Sequence, residues 1–136
     1  MAEPITQARL RALAAVHPDR GRVLSVFLNL DPAQFGTPAA RSSAITSVIT
    51  AAAHKVEESD GLTPEERLTL RDDVERVREV LVNTDIAANG TRAVAVYACG
   101  PEDLLEIVRL RRPVENRVVL DRTPCVEPLV LLGPDE

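Results

Sequence analysis

Tryptophan is absent from this 136-residue chain, and the aromatic set is reduced to Phe27, Phe35 and Tyr97. A core with so few rings must be aliphatic and alanine-rich, which the 45% hydrophobic content allows. Cysteine is scarce as well. Cys99 and Cys125 share no CxxC spacing, which argues against a disulfide framework and against a thiolate metal cluster. No apolar run approaches the roughly 20 residues that a membrane-crossing helix needs. No GxGxxG, no Walker loop and no HExxH occurs, so the common phosphate-cradling and zinc-hydrolase motifs are missing. Lysine occurs once, at Lys55, and the other fifteen basic residues are arginine. With so much alanine and valine, that bias is what a GC-rich bacterial genome encodes, and it is not by itself a sign of RNA chemistry.

What remains is a chain of single-domain size. It is long enough to bury roughly two-thirds of its unfolded surface without staples. Its start, Met-Ala-Glu-Pro, has no charged-then-apolar leader, so a reducing cytoplasm is the expected location. The net charge of −5 is unevenly spread. Glu57 to Asp85 holds ten acidic residues against four arginines, whereas Arg109 to Arg122 holds five arginines against Glu115 and Asp121.

Along the chain, Ile5, Ala8, Ala12, Leu13 and Val16 recur at helical spacing, predicting a short first helix that ends before His17-Pro18. "VLSVFLNL", Val23 to Leu30, alternates as a strand. Leu24, Val26, Leu28 and Leu30 make a fully apolar face, and Val23, Ser25, Phe27 and Asn29 a mixed one. An inner strand covered by helices on one side fits that pattern. Two long helices follow. Thr37-Pro38 starts the first, whose stripe is Ile45, Val48, Ile49, Ala52 and Val56. Thr63-Pro64-Glu65-Glu66 is a capping box for the second, with the stripe Leu70, Val74, Val77 and Leu81. A short link between them predicts an antiparallel hairpin laid on one sheet face.

Beyond Asn89-Gly90, three strands are expected at Ala93 to Ala98, Leu104 to Leu110 and Arg117 to Leu120, joined as a meander. The fold class is α+β: a mostly antiparallel sheet of about four to five strands on a helical hairpin, plus the N-terminal helix. Residues 1–132 would form that domain. The apolar run Leu129 to Leu132 stops at Gly133-Pro134, so 133–136 are expected to begin a linker to a downstream domain.

Chemistry-bearing residues are few. Cys99 ends a strand, but a nucleophilic thiol needs a pKa-lowering partner and a base. The histidines, His17 and His54, are not placed by sequence to reach it. A core or turn cysteine is therefore favoured, with a cysteine hydrolase as the remaining alternative. Asp31 reads as a strand stop before Pro32 rather than a ligand. No catalytic, metal or cofactor residues are assigned. Arg109 and Arg111 would share one strand face opposite Val108 and Leu110. With Arg112 and Arg117 they would form a basic strip on the face away from the helices, suited to phosphate, or else an ordinary solvated surface.

"RVLSVFLNLDP", the helical pair, "AVAVYACG" and "IVRLRRPVENRVV" resemble the N-terminal domain of bacterial members of the archaeal and eukaryotic class-1 peptide-release-factor family. That family is related to the peptidyl-tRNA hydrolases of ribosome quality control. In its archetypes a strand like "MISLIIPP", a helical hairpin and a strand like "LVVYCG" follow in the same order. The resemblance spans Ile5 to Leu132, and it implies that Cys99-Gly100 does no thiol chemistry. Departures are specific. The stop-codon-reading Asn-Ile-Lys-Ser loop is replaced by Ser59-Asp60-Gly61-Leu62, and the Gly-Thr-Ser element by Arg20-Gly21-Arg22. Tyr-x-Cys-x-x-x-Phe has no counterpart around Val118 to Pro124, and the hydrolytic Gly-Gly-Gln loop belongs to the next domain. The resemblance implies a noncatalytic domain that orients downstream domains on the ribosome or tRNA without reading stop codons. The alternative is a protein-interaction module that has lost ribosome binding, as an acidic hairpin tip repelled by RNA phosphate would suggest.

Overall fold

The computed structural model describes residues 7–15, 22–31, 33, 36–83 and 91–132. Helix α1 spans Gln7–Ala14, strand β1 Val23–Asn29, helices α2 and α3 Pro38–Glu58 and Pro64–Asn83, and strand β2 Ala93–Cys99. A 3-10 turn, Gly100–Glu102, leads to β3, Leu104–Leu110; β4, Arg117–Asp121, and helix α4, Glu127–Leu132, follow. The sheet is four-stranded and wholly antiparallel, in the order β3-β2-β1-β4. This is the α+β fold expected from the sequence. Ile5, Val16, His17, Asn89-Gly90 and the segment 133–136 lie outside the described residues.

Local chemistry sets the two long helices. The Thr37 hydroxyl accepts from the Ala40 N–H at 3.1 Å, and Pro38 occupies the first turn of α2, where its missing N–H costs nothing. At the start of α3 the capping box closes reciprocally. Thr63 N–H donates to Glu66 Oε1 at 3.0 Å, and Glu66 N–H donates to Thr63 Oγ1 at 3.0 Å. The exit of α2 is held by a residue with no local signal in the sequence. The Arg67 guanidinium donates to the carbonyls of Val56, Glu57 and Ser59, the orphan acceptors of the helix end.

The hairpin packs on one sheet face. Ile45, Val48, Ala52 and Val56 of α2 and Leu70, Val74, Val77 and Leu81 of α3 meet Leu24, Val26 and Leu28 of β1 and Val94, Val96 and Ala98 of β2. These are the stripes and the apolar strand face read from the sequence.

Two expectations need correction. The first is that β1 is covered on one side only. Its mixed face is buried too: Val23 and Phe27 join Ala93, Ala95, Tyr97, Cys99, Val108 and Leu110 in a second core, closed by Leu13 of α1 and Leu129 of α4. Ser25 tolerates this burial because its hydroxyl accepts from the Cys125 N–H at 3.0 Å. The Tyr97 hydroxyl donates to the Cys125 carbonyl at 2.9 Å, and its ring meets Phe27 edge-on at 6.1 Å. Together these polar contacts strap the 124–126 segment across the back of the sheet. The run Leu129 to Leu132, read as a stretch ending at a domain boundary, lies within α4. In α1 Leu13 is buried, while Ala8 and Ala12 are exposed.

The second correction concerns the meander. β4 does not continue from β3 but crosses the end of the sheet to pair with β1, from Val23↔Asp121 to Phe27↔Arg117. Residues 111–116 make that crossing of about 14 Å, three strand spacings. Asn116 Oδ1 anchors it by accepting the Asn29 N–H at 2.7 Å. The reason is burial: β1 is covered on both faces, and a strand on each side gives it a central position that satisfies its backbone.

Candidate functional site

Cys99 and Gly100 close β2 directly above α3, where the 20-residue helix carries one acidic residue on its apolar side. Asp73 is only 1% exposed. Its Oδ2 accepts the Gly100 N–H and its Oδ1 accepts from Arg76 Nη1, both at 3.2 Å. Burial raises its carboxyl pKa above the ordinary range, and the opposing help from the Gly100 N–H and Arg76 does not cancel this. Gly100 allows a close approach here. A Cβ on it would sit 3.1 Å from Asp73 Oδ1 and 3.2 Å from Thr69 Cγ2.

Cys99 itself is fully buried, and burial pushes its thiol pKa up, the opposite of what a nucleophile needs. Its side chain belongs to the second core, on the sheet face opposite Asp73. Cys125 is half-buried beside the Ser25 and Tyr97 contacts.

Asp73 forms the floor of a cleft of about 240 Å³ lined also by Arg22, Thr63, Glu66, Thr69 and Pro101. The Thr63 N–H, with smaller contributions from Arg22 and Arg122, holds the Glu66 carboxyl below its usual range. The capping box therefore doubles as one wall of a mixed-polarity, mixed-charge cleft at the end of the sheet. Motif and stripe patterns alone pass over Asp73. The signal that could have found it is position: three residues after Leu70 and next to Val74, it puts a carboxylate on the apolar stripe.

A second depression, of about 350 Å³, runs beside β4, between Asn116, with Arg117 and Val118 of the strand, and Ser47, Val48, Ala51 and Lys55 of α2.

The four arginines expected to make one basic strip do not form one. Arg109 pairs with Val94 across the ladder, so it lies on the face covered by the helical hairpin and is half-buried. The expected placement on the opposite face is thus corrected. The physical reason is the pleat: Val108 and Leu110 do face a core, but that core is the second one, behind the sheet. Arg111 and Arg112 are exposed in the crossing after β3. Arg117 opens β4 at the other edge of the sheet, about 14 Å away by strand spacing. Asp31 caps the turn after β1, accepting the Ala33 N–H at 3.2 Å with Arg92 at 3.7 Å.

At the tip of the hairpin, the acidic charge is partly answered from within. Arg71 Nε meets Glu57 Oε1 at 2.6 Å, and Glu58 lies 3.2 Å from His54, leaving Asp60 exposed at the turn. No helix among the described residues is long and apolar enough to cross a membrane.

No family model matches the chain, and no curated protein matches it. Among solved structures, one described as "Archaeal protein" is similar over 96% of this chain, with a TM-score of 0.63 and 11% identity. At that identity the likeness shows the fold. The chain spans 36% of the length of that archaeal protein.

Proposed function

We propose that the chain is the noncatalytic N-terminal domain of a bacterial release-factor-like translation protein, orienting downstream domains on the ribosome or tRNA without reading stop codons. The observation that carries this reading is the order of elements: a helical hairpin inserted between two neighbouring central strands, β1 and β2, the second ending in Cys99-Gly100. That order is the one the sequence resemblance rests on. A fold shared with about a third of a longer archaeal chain agrees with a domain that works as part of a larger protein. A noncatalytic role is supported by the buried Cys99 thiol, whose raised pKa keeps it protonated at neutral pH. With the arginines divided between two edges, RNA contact in this reading is local and fits Arg111 and Arg112 better than the half-buried Arg109.

A protein-interaction module is the second reading, favoured by the exposed acidic residues Glu58 and Asp60 at the hairpin tip. Cosedimentation of the full-length protein with programmed ribosomes separates the two. The first reading expects binding that is equal on stop and sense codons and is weakened by Arg111→Ala with Arg112→Ala. For each arginine that no longer neutralises a phosphate, the slope of log affinity against log salt should fall by about 0.7 to 0.9. Failure to bind ribosomes or tRNA would favour the interaction module. Binding that requires a stop codon would refute the proposed lack of decoding.

A further inference from the structure

We propose that this chain associates with a second copy of itself edge to edge through β4, making one continuous eight-stranded sheet. Among the described residues β4 is bonded to β1 on one side and to no strand on the other. Such an edge is a row of free backbone donors and acceptors that invites another strand. Several of the usual guards are missing from it. The register against β1 runs unbroken from Arg117 to Asp121, with no bulge, and the strand contains neither proline nor lysine. Val118, Val119 and Leu120 between the charged ends are only half-buried.

The sequence of the strand, "RVVLD", is complementary to itself when reversed. A two-fold axis normal to the sheet keeps each copy's faces aligned, so it pairs only residues whose numbers sum to an even value. Centred on Val119, the axis sets Arg117 against the partner's Asp121 twice, Val118 against the partner's Leu120 twice, and Val119 against itself. Opposite charges directly across an antiparallel pair attract, and the apolar residues between them lose water. Both charged residues are exposed in the single chain, and Arg117 has no carboxylate partner among the described residues. The opposite edge lacks this property. In β3, "LLEIVRL", Glu106 and Arg109 lie on different faces, so no symmetric pairing brings them together.

Among the described residues, the edge leaves room for the partner. Helix α2 packs over β4 and β1, and its surface beside the free edge presents Ser47, Ala51 and Lys55 to the groove. Adjacent strands about 4.8 Å apart would bring the two α2 axes to roughly 10 Å, near the usual helix packing distance. Serine and alanine are small enough for that approach.

Sedimentation velocity of the chain over a micromolar-to-millimolar series tests this. The parent should move from monomer to dimer as concentration rises. Arg117→Asp or Asp121→Arg alone places like charges together twice, and should weaken association roughly tenfold or more. An equal mixture of the two variants should form a heterodimer, because each then supplies one sign at both positions. The double variant, Arg117→Asp with Asp121→Arg, should dimerise like the parent. Far-UV circular dichroism confirms that each variant is folded. A parent that stays monomeric at millimolar concentration overturns the proposal. So does a dimer that survives either single reversal, or single variants that fail to pair when mixed.

Discussion

Replacing Asp73 by asparagine and by alanine separates the charge of a buried carboxylate from its work as an acceptor. Alanine leaves the partly buried Gly100 N–H without its partner, which costs about 1–3 kcal/mol. Asparagine keeps an oxygen for that N–H and removes only the charge. It also loses the ion pair with Arg76, but that guanidinium is 33% exposed and recovers water, so the pair is worth at most about 1 kcal/mol. Because burial outweighs both partners in raising the Asp73 pKa, the ionised form is a net cost to the fold at neutral pH. Asp73→Asn should therefore equal or exceed the parent in stability at pH 7, while Asp73→Ala falls below it. At this chain length each kcal/mol corresponds to about 2–8 °C in Tm. The pH dependence has a definite sign. A carboxyl held above its unfolded value contributes its stability at low pH and loses it as pH rises through the folded value. The advantage of Asp73→Asn over the parent should thus grow from acid to neutral pH in urea titrations. If Asp73→Asn were as unstable as Asp73→Ala at pH 7, or gained on the parent as pH fell, the buried charge would be favourable and the reasoning would fail.

Gly100→Ala should cost about 1–3 kcal/mol by crowding Asp73 and Thr69, and a double-mutant cycle with Asp73→Ala should show coupling, since the two residues touch. Tyr97→Phe should lower stability by about 1 kcal/mol in chemical denaturation by removing the hydroxyl bond to the Cys125 carbonyl. Cys99→Ala should cost about 1 kcal/mol for removal of a small buried group. In the folded protein a mild alkylating reagent followed by mass spectrometry should label half-buried Cys125 well before buried Cys99, and rapid labelling of Cys99 would count against its place in the core.

Much of the fold was legible because its signals are local. The Thr37 cap, the Thr63–Glu66 box and the extended β1 segment depend on residues within a few positions of one another, and all three form as expected, although both faces of β1 are buried. Arg67 illustrates the limit. Its role at the end of α2 rests on carbonyls eight to eleven residues earlier that come close only when the hairpin closes. Asp73 carries only a weak local signal, a charge beside an apolar stripe, and its partner Gly100 lies 27 residues away on another element.

By itself, then, the sequence determined the element types, the two helical stripes, the apolar face they cover and the α+β class, since periodicity and capping act within single segments. Tertiary structure alone decided which strand neighbours which. Nothing local in Arg117 to Asp121 distinguishes pairing with β3 from pairing with β1. The choice is made by β1, whose residues are buried on both faces and take strands on both sides and cover on both surfaces. That one long-range preference moves Arg117 to the far edge, divides the expected arginine strip, and leaves a self-complementary strand facing outward.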